Sequence, residues 1–337
     1  MRELIIEIEV IQLKKLFGIL CCSLALLLTA CSDDEKSLES KRSEPDVSME
    51  TIKINEENEL TIVPLYTQYQ QYLNASLETT DSEESKQNFK KYVLDYIGEI
   101  GAEEKLDTSL IKTNFSLKPT PHKQQLLKQL DTLIERYDEI KEIIESTYAD
   151  SNQILPKEKS TVFIAPYNPE LFYDIEPMKG VGATAYKDAF ILFLDTDFDK
   201  DVLAYSTAHE YHHLILRDQN EYNLSSILES IIIEGKADAF ADRIVKGVSP
   251  PWHVQLDDAT MEHIASQVND YETSFTDFVV GNSQKDIPRW SNYILGKDVF
   301  HNYLTSHPEL SIPEWTFKEG HEILEEYEYR DVMKLEN

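Results

Sequence analysis

His209-Glu210-Tyr211-His212-His213 is the stretch on which the reading of this chain turns. On a helix, residues four apart lie on one face, so His209 and His213 can offer imidazole nitrogens to a single metal ion with Glu210 beside them. The spacing predicts a helix from Lys200 to about Arg217, with Leu203, Tyr211, Leu214 and Ile215 as its apolar face and Ala204 and Ala208 allowing close packing. Two histidines and a glutamate on the inner part of such a helix are costly unless paired or metal-bound. His212 points roughly 100° away from His213 and reads as an outer or exposed residue, not a ligand.

A catalytic zinc needs a third protein ligand and an open position for water. The next helical stretch, Leu224 to Val245, offers Glu229 and Glu234. Five residues apart, they project about 140° from each other, so only one can face the metal. Glu234 is the better placed: Gly235 and Ala237 keep the helix slim where it crosses its neighbour. Asp238, one turn on, can accept the hydrogen bond of a ligand imidazole's other nitrogen. Glu229 is the alternative. Two imidazoles and a carboxylate suit Zn2+.

The rest of the chain supplies the context. Lys14 and Lys15 precede an apolar run of 14 residues, Leu16 to Thr29, too short to span a bilayer but suited to the core of a secretory signal. Glu3, Glu7 and Glu9 make an unusual lead-in, so translation is expected to start nearer Leu13. The run ends in Leu28-Thr29-Ala30-Cys31, which resembles the lipobox of bacterial lipoproteins; the resemblance implies lipidation of Cys31 and a membrane-anchored chain facing the extracytoplasmic side. Cys21 and Cys22 fall within the leader, which leaves the mature chain no disulfide framework and no thiolate ligand.

The formal net charge is -30, and residues 1 to 30 hold three acids and three bases, so the mature part carries all of it. Nucleic acid and anionic membrane surfaces are poor partners for such a surface. Hydrophobic residues make up 41% of the chain, enough for a sizeable core. Ser32 to Asn58 is polar and charged and reads as a tether. From Leu60 the pattern is helical, with stripes through Ser82 to Ile100 and Pro121 to Tyr148; His122 stands alone and reads as a surface residue. Thr161 to Pro166 reads as a strand, and Val181 to Leu194 as a hairpin around Lys187-Asp188. With Gly180 and Gly182 flanking it, Val181 begins either an edge strand able to take an extended peptide or a plain turn or bulge. Asp195, Asp197, Asp199 and Asp201 lack the Gly and Glu of a calcium loop, and Asp199 or a neighbour is placed to cap the next helix. His301, His307 and His321 share no period.

His209-Glu210-Tyr211-His212-His213 followed by Glu234-Gly235-Lys236-Ala237-Asp238 resembles the gluzincin arrangement of thermolysin-type metallopeptidases, whose second helix gives Glu as third ligand. More closely it resembles the YjaZ-like family of predicted zinc-dependent proteases. That resemblance also takes in Pro288-Arg289-Trp290-Ser291-Asn292-Tyr293-Ile294-Leu295-Gly296 and spans roughly residues 125 to 330, although Asn292 and Leu295 depart from the family's Gly-Tyr-x-Ile-Gly pattern. It implies an α+β, mainly helical, zincin-like domain with a small, mostly antiparallel sheet. The expected order is a leader at 1–30, a tether at 31–59, a helical region at 60–150 and the metallopeptidase domain at 151–337.

The implied chemistry is peptide-bond hydrolysis of peptides or unfolded proteins, with zinc on His209, His213 and Glu234 and Glu210 as general base. A further donor to the oxyanion is expected, with Tyr293 and His263 as candidates. A reading of another class is a catalytically silent metal-binding or peptide-binding lipoprotein on the same scaffold. The intact Glu210 and the lack of a His-rich tract favour the enzyme.

Overall fold

A computed structural model describes residues 47–171, 176–218 and 226–333. The leader, Cys31 and the tether up to residue 46 lie outside the described residues. Among the described residues no helix is long and apolar enough to cross a membrane.

Five strands make one sheet in an α+β fold: β1 (Glu50–Lys53), β2 (Glu59–Pro64), β3 (Lys159–Pro166), β4 (Val181–Ala185) and β5 (Ala189–Leu194), in the order β1-β2-β3-β5-β4. The two outer pairs are antiparallel, whereas β2, β3 and β5 run parallel. The expectation of a mostly antiparallel sheet is therefore corrected to a mixed one. The physical reason lies upstream. Leu60-Thr61-Ile62-Val63-Pro64 is a short apolar run, fully buried, that continues the sheet beside β3 instead of starting a helix. Parallel neighbours need a long crossover, and the helices between β2 and β3 provide it. Glu50 to Lys53 likewise pairs with β2 within the stretch expected to be tether. Strands from both sides of the expected 150/151 boundary thus share one sheet.

The helices of the crossover are α1 (Tyr66–Ser76), α2 (Ser82–Phe89), α3 (Asp95–Glu104), α4 (Lys123–Glu135) and α5 (Tyr137–Ile154). A single π-turn, Lys90–Leu94, joins α2 to α3. The stripe read as one helix from Pro121 to Tyr148 breaks at Arg136, whose guanidinium lies 3.7 Å over the Phe198 ring and donates to the Thr196 carbonyl at 2.7 Å. This fastens the crossover to the loop that leads into the central helix.

That helix, α6 (Lys200–Asp218), packs on β4 and β5 and is buried on almost every side from Val202 to Leu216. Asp199 caps it, accepting from the amides of Asp201 at 3.0 Å and Val202 at 3.2 Å. Burial works against the Asp199 charge, yet the Val202 amide and Lys179 outweigh it and hold the carboxyl below its usual value. The hairpin turns at Lys187-Asp188 as expected, and β4 is an edge strand. Gly180 is the turn glycine: its φ is +78° and a Cβ there would sit 2.8 Å from the Phe198 Cα. Gly182 belongs to the strand itself.

Downstream lie α7 (Ile227–Ile244), α8 (Asp258–Ser266), α9 (Phe275–Val280), α10 (Ser291–Ser306), α11 (Ile312–Thr316) and α12 (Gly320–Leu324). Gly235 does slim α7, but the helix that comes close is α10. A Cβ on Gly235 would lie 2.4 Å from the Gly296 carbonyl oxygen, and one on Gly296 would lie 2.5 Å from the Ile231 carbonyl oxygen. Backbone meets backbone at this crossing, and neither side can give way. Gly296→Ala is expected to lower stability by about 1–3 kcal/mol. Gly98→Ala, mid-helix with only the Lys112 Nζ nearby at 3.4 Å, is expected to raise it by roughly 0.5–1 kcal/mol. Thermal unfolding of the two variants checks the contrast.

Candidate metal centre

α6 and α7 lie side by side and bring three side chains to one point. One donor atom each from His209, His213 and Glu234 falls within 4.8 Å of the other two, and all three residues are buried. Glu234 Oε2 is 3.1 Å from His209 Nε2 and 3.5 Å from His213 Nε2. Tetrahedral coordination with bonds near 2 Å places neighbouring ligand atoms about 3.3 Å apart, so the two separations fit an ion held between them. Burial opposes the Glu234 charge, but the two imidazoles outweigh it and hold the carboxyl at about 2.

Glu229 does not compete for this place. It sits in the first turn of α7, where its amide and carboxylate both meet the capping Ser226 hydroxyl, at 3.1 and 3.3 Å.

Glu210 completes the group without joining it. Its Oε2 is buried with no hydrogen-bond partner among the described residues, and burial raises its carboxyl above the ordinary range. It lines a cavity of about 420 Å³ together with His209, Ser206, Trp252 and Tyr293. Gly182, Ala183 and Thr184 of the β4 edge form another wall, and Phe115, Met178 and Val280 make much of the lining apolar.

Asp238 accepts from the His209 Nδ1–H at 2.9 Å, which leaves the Nε2 lone pair turned toward Glu234 and His213. Its carboxylate also takes the Trp252 indole N–H, 3.2 Å from each oxygen, and the His253 Nε2–H at 2.9 Å. Burial opposes this charge too, yet His209 and His253 hold the carboxyl well below its usual value. Tyr205 closes the group, its hydroxyl 3.1 Å from the Asp238 carbonyl and 3.1 Å from Asp242 Oδ1; burial and the two acids raise its pKa. Trp252 and His253 were missed by sequence reasoning. The available signal was the need of a buried carboxylate for more than one donor, met here just after the stiff Pro250-Pro251 pair.

The two expected oxyanion donors part company. Tyr293, in the first turn of α10, lines the cavity with its ring centre 6.1 Å from that of His209. His263 is not among the lining residues; its Nε2–H donates to the Lys285 carbonyl at 2.8 Å, which fastens α8 to the 282–287 turn. Its candidacy is withdrawn on that geometry.

His212 is not exposed. It lies fully buried between Phe240 and Trp315, with Nε2 3.2 Å from the Thr316 hydroxyl, and burial lowers its pKa well below that of a free imidazole. The neighbouring histidines should therefore separate cleanly. His213→Ala is expected to drop bound metal far below one per chain at little cost to the fold. His212→Ala should keep the metal but lose on the order of 2 kcal/mol of stability. Elemental analysis alongside thermal unfolding checks both.

Residues 140–325, which contain α6, α7, the whole donor set and the Tyr293 segment, match the family described as Predicted Zn-dependent protease (DUF2268). No curated protein and no solved structure matches the chain. On the family match, which covers more than half of its length, this chain belongs to the predicted Zn-dependent protease family.

Proposed function

We propose that the protein is a zincin-like metallopeptidase that hydrolyses peptide bonds, anchored to the extracytoplasmic side of a membrane through lipid on Cys31. The observation that carries the hydrolase reading is a three-donor set, His209, His213 and Glu234, with a further buried carboxylate, Glu210, that lines the same cavity as His209 and whose Oε2 has no hydrogen-bond partner among the described residues. A metal store has no use for the second part.

A zinc ion on His209, His213 and Glu234 would supply the Lewis acidity that makes a water a nucleophile at neutral pH and polarises the scissile carbonyl. The chain's own residues do the rest. Glu210 takes a proton from the attacking water as its oxygen bonds to the carbonyl carbon, and returns a proton to the nitrogen as the C–N bond breaks. Tyr293 is placed in the same cavity to donate to the carbonyl oxygen as it turns negative. Asp238 keeps the His209 Nε2 lone pair available by holding the hydrogen on Nδ1.

The substrate we infer is an extended peptide or unfolded segment. The β4 edge lies along the cavity and carries no charged side chain in Val181-Gly182-Ala183-Thr184-Ala185, so its free backbone groups can pair with a peptide in strand form. The apolar lining favours bulky apolar side chains beside the scissile bond.

Digestion of a mixed peptide library tests the reading. Cleavage is expected, lost on chelation and restored by zinc, and reduced at least about 100-fold in Glu210→Gln with metal content unchanged. Stoichiometric zinc with no cleavage of any peptide would instead support a silent metal-binding or peptide-binding lipoprotein.

A further inference from the structure

The metal-facing side of His209 is described above; behind it lies a chain of hydrogen bonds that reaches another helix. His253 is only about 2% exposed at its side chain and sits with Nε2 against Asp238 and Nδ1 against the Lys297 ammonium. Lys297 lies on α10, one turn beyond Tyr293, so it belongs to a different element from any of the three metal donors.

Hydrogen positions follow from the donor inventory. An ammonium has N–H groups and no lone pair, so His253 Nδ1 must accept from Lys297. The ring hydrogen is then on Nε2, 2.9 Å from Asp238 Oδ2, and is donated there. Asp238 can only accept, so it receives from His253 on one side and from His209 Nδ1 on the other. Held to Asp238 through Nδ1–H, His209 turns its Nε2 toward Glu234, 3.1 Å away, where a metal would take the nitrogen's lone pair. Each link has one permitted direction, and the first is set by Lys297.

From this geometry we infer that Lys297 and His253 are positioning residues for the metal site: Lys297 fixes the tautomer and ring orientation of His253, whose Nε2–H holds the Asp238 carboxylate that orients His209. The inference rests on the metal reading above. With Lys297 lost, His253 loses the donor at Nδ1 that holds its ring in place, and its hydrogen bond to Asp238 loosens. The carboxylate that steadies His209 is then less firmly held. Asp242 meets the Tyr205 hydroxyl at 3.1 Å beside the same histidine.

The test measures zinc affinity by chelator competition on the full chain, not turnover. Lys297→Met is expected to weaken zinc binding by about 10-fold or more, the usual effect of losing an outer partner of a metal ligand. Lys297→Arg, which keeps a donor, should recover most of it. His253→Phe should weaken zinc similarly, and adding Lys297→Met to it should cause little further loss, because the lysine acts through the histidine. A purely structural lysine would lower the metal-free thermal midpoint and leave zinc affinity unchanged.

Imidazole nitrogen NMR shifts in the wild-type protein need no variant and should show the His253 hydrogen on Nε2; finding it on Nδ1 overturns the proposal. So does zinc affinity equal in wild type and Lys297→Met. Wild-type protein that binds no zinc removes the metal reading as well, which separates that failure from this one.

Discussion

A carboxylate buried without company is among the most expensive groups a protein can contain, and α7 buries two of them one turn apart. Both face the His209 imidazole: Asp238 takes its Nδ1–H, and Glu234 lies at Nε2, where a cation shared with His213 would offset its charge. The two helices are held in register by that shared ring, and α7 cannot slide along α6 without stranding at least one charge. His213, one turn beyond His209, adds the third donor at no further cost in geometry.

The same constraint explains why so much of the C-terminal half is committed to α7. α10 approaches it backbone to backbone at Gly235 and Gly296, which brings Tyr293 to the cavity on one turn and Lys297 to the back of the site on the next. Lys236, buried on α7, reaches the carbonyls of Thr316 at 2.8 Å and Lys318 at 2.7 Å and so fastens the segment after α11. His212 packs against Trp315 from the other side. His212 on α6 and Lys236 on α7 thus tie both helices to α11 and the residues just after it.

Local spacing made some of this readable in the sequence and left the rest hidden. His209 and His213 could be found because helical period sets them on one face, and Glu234 with Asp238 because the same period aligns them on a second helix beside the slim Gly235. The hairpin and the Asp199 cap were equally local. β2 was not legible as a strand, because a short, mostly apolar run that leads straight into a helix carries no period to distinguish it, and its partner β3 lies about a hundred residues away. Trp252 and His253 come from a loop, whose course no periodicity describes. His263 shows the converse limit: a histidine at a plausible position along the chain was turned by its helix toward a carbonyl instead of the cavity.

The two margins of the sheet are treated differently. β1 carries Glu50 and Lys53, and Glu50 is paired with Lys141 at 2.7 Å, the kind of charged border that discourages unwanted strand pairing. β4 has no such guard, and its border is the one that opens on the cavity. An unguarded border does not choose its guest: it can dock another molecule of the same protein as readily as a peptide. Self-association through β4 at high concentration is the hazard that accompanies a cleft built on an open strand.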